Sequence, residues 1–81
     1  MRVRILLFSQ MRIEAERSTE ELEVAEGATV GDALTQFYSR HPALQGFAPS
    51  CLVAVGLEYA PPGHPLSEGD EISLIPPVSG G

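Results

Sequence analysis

The sequence of 81 residues contains no lysine and only one cysteine, Cys51. A single cysteine cannot form an intrachain disulfide or supply the ligand cluster of a zinc or iron–sulfur site. The apolar stretch at the start is broken by Ser9 and Gln10, and no stretch approaches the length that crosses a membrane. The sequence therefore predicts a protein of a reducing, cytoplasmic environment, with no secretory signal, no membrane partner and no bound metal.

All five positively charged side chains are arginines, and the formal net charge is −6. A protein that binds nucleic acid needs clustered cations to neutralise phosphates, so nucleic acid is not an expected partner. An acidic surface keeps a protein soluble or suits a basic protein partner. The length corresponds to one domain with a small core.

The apolar pattern predicts two strands before the first helix. Arg2–Phe8 is apolar on both faces towards its end, which is typical of a central strand. Residues 9–18, SQMRIEAERS, carry little pattern and are interpreted as a loop. In TEELEV, Leu22 and Val24 alternate with glutamates, which indicates a second strand with one solvated face.

One helix and two or three further strands complete the predicted fold. Thr29 and Asp32 suit the start of a helix, which should end near Arg40 because Pro42 disfavours helical geometry at the preceding residue. After a short turn, Cys51–Val55 is predicted as a buried strand and Tyr59 as part of a short edge segment. A last strand is expected near Glu71–Ile75. The expected fold class is α+β, a mixed four- to five-stranded sheet packed on one main helix.

The chain ends on PPVSGG, which predicts an extended tail over residues 76–81 after a domain over residues 1–75. Pro76 and Pro77 end the strand and keep the chain extended. Gly80 and Gly81 have no Cβ, so this segment has the smallest cross-section of any dipeptide and could enter a narrow slot in a partner. A terminal carboxylate is a poor electrophile and must first be activated, for example as a mixed anhydride with AMP. The sequence has no glycine-rich phosphate loop, so a second protein would have to use the ATP.

Five segments together resemble the small subunit of molybdopterin synthase, a ubiquitin-like sulfur carrier of the β-grasp family: LLFSQMR, TVGDAL, LVAV, HPLSEGDEISL and the terminal PPVSGG. The resemblance covers essentially the whole chain. It implies that an E1-like adenylating enzyme activates Gly81 with ATP and that a sulfur donor, such as a cysteine desulfurase or a rhodanese, converts it to a thiocarboxylate. It further implies that the sulfur passes to cyclic pyranopterin monophosphate on the large synthase subunit, in a heterotetramer. This chain would then be the non-catalytic sulfur-donating subunit, with no cofactor of its own.

The resemblance also implies a docking surface beside the tail. It assigns apolar contacts to Phe8, Tyr59 and Ile75 and a polar contact to Arg12, and it makes Pro77, Val78, Ser79, Gly80 and Gly81 the segment inserted into the partner. Phe8 fits a core position equally well. The family often has asparagine where this chain has Gly56, and both residues tolerate a positive φ.

Other functions fit the same residues. The chain is alternatively a sulfur carrier for thiamin or for tRNA thiolation, a ubiquitin-like protein modifier joined through Gly81, or a β-grasp interaction module. Cys51 opens an apolar strand and is interpreted as an inert thiol. His41 and His64 each precede a proline, with no third ligand arranged around them, and are interpreted as turn or surface residues.

Overall fold

Five strands form one mixed sheet in a computed structural model of the chain, which describes residues 1–77. In chain order the elements are β1 (Arg2–Leu7), α1 (Ser9–Ala15), β2 (Thr19–Glu23), α2 (Val30–Arg40), a 3₁₀ segment (Pro42–Ser50), β3 (Leu52–Val55), β4 (Glu58–Tyr59) and β5 (Glu71–Ile75). The strand order is β2-β1-β5-β3-β4. Among the neighbouring strands of residues 1–77, β1 and β5 form the one parallel pair. The first and last strands therefore lie side by side in the middle of the sheet.

The core lies between one face of the sheet and α2. Val30, Ala33 and Phe37 of the helix are fully buried, as the helical spacing of apolar residues predicts. They face the alternate residues of the strands, which are also buried: Val3, Ile5, Leu7, Leu22, Ile72 and Leu74. The predicted polar face of β2 is confirmed, because Glu21 and Glu23 are exposed.

The ends of α2 are those that the sequence predicts. The Thr29 hydroxyl accepts a hydrogen bond from the Asp32 backbone N–H at 3.2 Å, and the Asp32 carboxylate accepts one from the Thr29 N–H at 2.9 Å. This reciprocal pair satisfies two N–H groups that the first helical turn leaves free. The helix ends at Arg40, two residues before Pro42.

The prediction of a loop over residues 9–18 is wrong for its first part, because Ser9–Ala15 forms α1. Met11 is fully buried and attaches this short helix to the core. No side chain caps its start, and it ends at Glu16 with φ +56. A helix this short depends on tertiary packing rather than on local sequence preference, so the local pattern did not indicate it.

The prediction that Cys51–Val55 is a buried strand is also wrong in part. Val53 and Val55 pair with Leu74 and Ile72 on the face that packs against α2, whereas Leu52 points to the other face and is 52% exposed. The expected short turn before it is a nine-residue 3₁₀ segment that buries Leu44. The last strand, Glu71–Ile75, has the predicted bounds.

Within residues 1–77, no helix is long and apolar enough to span a membrane.

Candidate docking face and base of the tail

The sheet has a second face, turned away from α2, which we call the open face. The registers Leu6↔Ser73, Leu52↔Ile75 and Ala54↔Tyr59 place these side chains on it. Residues directly opposite one another in neighbouring strands share a face, so these registers identify the side chains that form the open face. It contains two different halves.

The half of the open face nearest the tail is apolar. Phe8 follows β1 in extended geometry beside Ile75, which pairs with Leu52. Phe8 is 42% exposed and Tyr59 is 74% exposed. Phe8 is therefore not a core residue, and the structure brings it to the same face as Ile75 and Tyr59. We call Phe8, Leu52, Tyr59 and Ile75 the apolar patch.

Leu52 is the member of the apolar patch that sequence reasoning missed. The run LVAV shows no polar residue to mark an outer face, so its pattern predicts a strand that is buried on both sides. A signal was nevertheless present, because a strand of alternating faces must turn Leu52 and Ala54 to the side opposite Val53 and Val55.

The other half of the open face is charged. Arg2 donates to Glu23 at 2.8 Å, and Arg4 lies 3.6 Å from Glu21 and 3.3 Å from Glu71. All these side chains are about half exposed or more, so each pair contributes little to stability. The charges border the apolar patch and keep this half of the sheet solvated.

Arg12 lies in the last turn of α1, one turn after Phe8, and is exposed. Among the residues described, it is the one arginine without an ion pair. Its guanidinium is therefore available to a carboxylate or a carbonyl group of a partner.

The tail begins directly beside the apolar patch. β5 ends at Ile75, Pro76 is buried and Pro77 is exposed. A buried proline with a fixed φ sets the direction in which the chain leaves the sheet. Val78, Ser79, Gly80 and Gly81 lie outside the described residues, so their roles stay predictions.

A buried carboxylate that the sequence did not reveal lies at the other edge of the sheet. Glu20 of β2 has a side chain only 8% exposed, and its Oε1 contacts His41 at 2.7 Å and Arg17 at 2.9 Å. The ring of His41 also packs against the ring of Phe37, with the ring centroids 4.8 Å apart and the planes tilted by 38°. His41 is thus a helix-end residue with a specific partner, rather than only a turn or surface histidine. His64 lies in a loop, where its backbone carbonyl accepts a hydrogen bond from Val30.

Cys51 is half-buried, with its Sγ 3.5 Å from Sδ of Met11. Burial raises the pKa of the Cys51 thiol, and the neighbouring Tyr38 hydroxyl offsets part of that rise. Burial also raises the pKa of Tyr38 to about 12. Because the thiolate is the nucleophile, this environment fits an inert thiol. Across residues 1–77, no three His, Cys, Asp or Glu side chains are grouped so that they could hold a metal ion.

Comparison with known proteins connects these features to one family. The model of the ThiS family matches residues 5–81. A protein named molybdopterin synthase sulfur carrier subunit, from Chlamydomonas reinhardtii, is 36% identical over the full length of both chains. The crystal structure of SAMP1, a small archaeal modifier protein from Haloferax volcanii, is 34% identical with a TM-score of 0.93 over all of both chains.

A third similar structure comes from a complex of subunits 1 and 2 of the molybdopterin-converting factor of Helicobacter pylori. It matches all of both chains with a TM-score of 0.74 at 23% identity, a likeness of fold. These neighbours, with the mixed sheet packed on α2, confirm the predicted ubiquitin-like β-grasp fold.

Proposed function

The chain belongs to the ThiS family, and we propose that it is the sulfur-carrier small subunit of a molybdopterin synthase. The observation that carries this proposal is the family match, which runs to Gly81 and so includes the terminal Gly-Gly. The full-length similarity to a molybdopterin synthase sulfur carrier subunit supports the choice of acceptor. The presence of one free thiol suits the reducing cytoplasm in which we place the protein.

The proposed chemistry takes place at the carboxyl carbon of Gly81. An E1-like adenylating enzyme joins the carboxylate to the α-phosphate of ATP and releases pyrophosphate, which gives an acyl adenylate. The outer sulfur of a persulfide on the desulfurase or rhodanese donor then attacks this carbon, the bond from carbon to the AMP oxygen breaks, and an acyl disulfide joins Gly81 to the donor cysteine. A second thiol attacks the donor sulfur of this disulfide, so the thiocarboxylate is released and the two thiols are left as a disulfide. Activation is required because the free carboxylate is an anion at neutral pH and resists nucleophilic attack.

The domain contributes the docking surface rather than catalytic side chains. We propose that the apolar patch binds the large synthase subunit and that Arg12 makes a polar contact at its margin. Pro77, Val78, Ser79, Gly80 and Gly81 would then enter the site where cyclic pyranopterin monophosphate accepts the sulfur. Because β5 carries Ile75 and leads directly into Pro76, docking of the patch determines where the tail starts. A large exposed tyrosine beside aliphatic groups is typical of such an interface. The chain needs no bound cofactor in this scheme, since the ATP is used by the activating enzyme.

A second candidate function is protein modification. The similarity to a small archaeal modifier protein favours it, since that protein matches this chain over its whole length. In that case Gly81 would be joined to lysines of other proteins. This chain has no lysine, so it could not extend lysine-linked chains of itself.

The proposal is tested with a variant that lacks Gly81 and with one that carries one extra residue after it. Each variant is combined with the activating enzyme, ATP, a sulfur donor and the large subunit, and molybdopterin formed from cyclic pyranopterin monophosphate is measured. Both should fold normally and form no product. Gly46→Ala is the control, because a Cβ there meets open space, and it should remain fully active. An extended variant that still supports product formation would contradict the proposal. Isopeptide-linked Gly81 in other proteins, with no product formed, would favour the modifier instead.

A further inference from the structure

The outer side of β2 is an edge of the sheet, because no strand of residues 1–77 lies beyond it. The Leu7 N–H donates to the Ser18 carbonyl at 2.8 Å, so the backbone groups of Ser18 face β1. These groups alternate in direction along an antiparallel strand, and the backbone N–H and C=O groups of Thr19 and Glu21 therefore point outward. An edge of this kind can accept an extended peptide as a further strand.

The other end of β2 is covered by α2. Gln36 Nε2 donates to the outward carbonyl of Glu23 at 2.8 Å. Among the hydrogen bonds of the described residues, none reaches the outward backbone groups of Thr19 or Glu21. We call residues 19–21 the free edge. Because the free edge is short, backbone bonds alone would hold a peptide weakly, and the side chains beside it determine what binds.

A depression of about 560 Å³ lies beside the free edge, and its lining residues are Arg17, Thr19, Glu20, Glu21, Arg40 and His41. Glu20 reaches His41 at the end of α2, so the depression lies on the side of β2 that faces α2. The Glu20 side chain is buried, whereas the side chains of Arg17 and Arg40 are each 50% exposed. A ligand in the depression would therefore meet the two guanidinium groups first.

The two guanidinium groups share one carboxylate. Arg17 donates to Oε1 of Glu20 at 2.9 Å, and Arg40 lies 3.7 Å from Oε2, an oxygen with no hydrogen-bond partner in the described part of the chain. Each guanidinium has five N–H donors, so both retain donors for a ligand. The Glu21 carboxylate lies on the open face, 3.6 Å from Arg4, and does not neutralise them. Two arginines and one glutamate leave a surplus of one positive charge here, in a chain of net charge −6.

We propose that the free edge binds an extended segment of a partner protein, and that an aspartate or glutamate side chain of this segment lies between Arg17 and Arg40. The backbone of the segment pairs with the outward groups of Thr19 and Glu21. Its acidic side chain, on the side that faces α2, accepts charge-assisted hydrogen bonds from the guanidinium groups. A lysine or arginine at the same position would be repelled by them.

The free edge and the apolar patch lie far apart on the sheet. The strand order puts three strand spacings, about 14 Å, between β2 and β3, which carries Leu52. A segment added outside β2 therefore leaves the apolar patch uncovered, and both surfaces can be occupied at once. This inference goes beyond the proposed function and does not depend on it.

The first test uses two blocked pentapeptides, Thr-Val-Asp-Val-Thr and the same peptide with asparagine in place of aspartate. Each is titrated into the isotope-labelled full chain, and amide shifts are followed by NMR. The shifts should be confined to residues 18–22 and the end of α2. The acidic peptide should bind with a Kd of roughly 1 mM and at least about fivefold more tightly than the neutral one. Added salt should reduce that difference.

Three variants separate the two parts of the proposed contact. Arg40→Gln should lower the affinity for the acidic peptide to that for the neutral one. Thr19→Pro removes an outward N–H at the first residue of β2, where proline is tolerated, and should weaken both peptides. Arg12→Gln, which removes an exposed arginine away from the free edge, is the control and should change neither affinity. Urea unfolding of each variant should have the wild-type midpoint.

Several results would overturn the inference. They are an absence of shifts at about 5 mM peptide, equal affinities of the two peptides, and shifts centred on Arg12. Tighter binding of a peptide with lysine at the central position would assign the free edge to a basic segment instead. Concentration-dependent shifts of the same amides without peptide would assign it to a second copy. Peptide binding should be unchanged when the large subunit is bound, and a chain that fails to bind that subunit would overturn the proposed function alone.

Discussion

The imidazole Nε2 of His41 lies 2.7 Å from Oε1 of Glu20 and joins the end of α2 to the edge strand β2. The Glu20 side chain is buried, and Arg17 approaches the same oxygen to 2.9 Å. The second oxygen, Oε2, has no hydrogen-bond partner among the described residues and lies 3.7 Å from Arg40. One carboxylate is thus surrounded by three potential cations, in a protein whose net charge is −6.

Replacing Glu20 by glutamine should destabilise the fold. The amide keeps the shape of the carboxylate but loses its charge-assisted hydrogen bonds to His41 and Arg17. We expect a loss of about 1–2 kcal/mol in the free energy of unfolding, since both partners retain some contact with solvent. Urea unfolding measures it. Glu21→Gln is the control, with a change below about 0.5 kcal/mol, because that exposed glutamate pairs only at 3.6 Å. Equal effects of the two substitutions would show that burial of Glu20 does not matter.

Replacing Glu16 by glycine should stabilise the fold. Glu16 ends α1 with φ +56, in the left-handed region where a side chain clashes with the backbone. Glycine has no side chain to clash in this conformation at a helix C-terminus. We therefore expect the free energy of unfolding to rise by about 1 kcal/mol, partly offset by the greater conformational freedom of glycine in the unfolded chain. Thermal unfolding measures the gain. Glu14→Gly, inside the same helix, should instead lower the stability. A loss of stability in Glu16→Gly would contradict the account of this helix end.

Replacing Leu52 by glutamate should prevent docking and leave the fold intact. Leu52 is half exposed beside Ile75, so a carboxylate there stays solvated in the free protein and is buried without a partner in the complex. We expect binding to the large subunit to weaken by roughly a hundredfold, equivalent to about 3 kcal/mol. Calorimetry measures this, and circular dichroism monitors the fold. Thr35→Glu, on the exposed side of α2, is the charge-matched control. If it weakened binding as much as Leu52→Glu, repulsion by overall charge would explain both.

Cys51 should react slowly with iodoacetamide in the native state. Burial raises the pKa of its thiol, so the folded protein holds less thiolate than the unfolded chain at a given pH. The unfolded chain therefore loses its proton first as the pH rises. The stability that the neutral thiol contributes is present below the ordinary thiol pKa and is lost as the pH rises through the raised value. Mass spectrometry of alkylation, with and without urea, measures both reactions. Equal rates in the two states would show that the thiol is not protected.

The parts of the fold that follow from local rules were predictable. The start of α2 depends on Thr29 and Asp32, and its end depends on Pro42. The last strand depends on the alternation of residues before Pro76. Each of these signals lies within a few residues of the element that it determines. The order of the elements predicted a mixed sheet covered on one face by one main helix. The β-grasp family itself was implied by the resemblance.

The remaining features depend on residues that are distant in sequence. The helix α1 is held in place by Met11, which is fully buried in the core. The residues beside Met11 in the sequence do not indicate that its side chain is buried. Leu52 is half exposed because its register with Ile75 turns it to the face opposite α2. Glu20 is buried in contact with His41 and Arg17, of which His41 is 21 residues away. Three members of the proposed docking surface, Phe8, Tyr59 and Ile75, were named from the sequence. Its extension to Leu52 required the strand register.

The central claim is that Gly81 carries sulfur, and the intact mass of the protein tests it most directly. The chain is incubated with ATP, an E1-like adenylating enzyme and a sulfur donor, and is then analysed whole and after cleavage. The account predicts a mass increase equal to the replacement of one oxygen by one sulfur, located at Gly81. An unchanged mass, with the same enzyme shown to be active on another carrier, would contradict it.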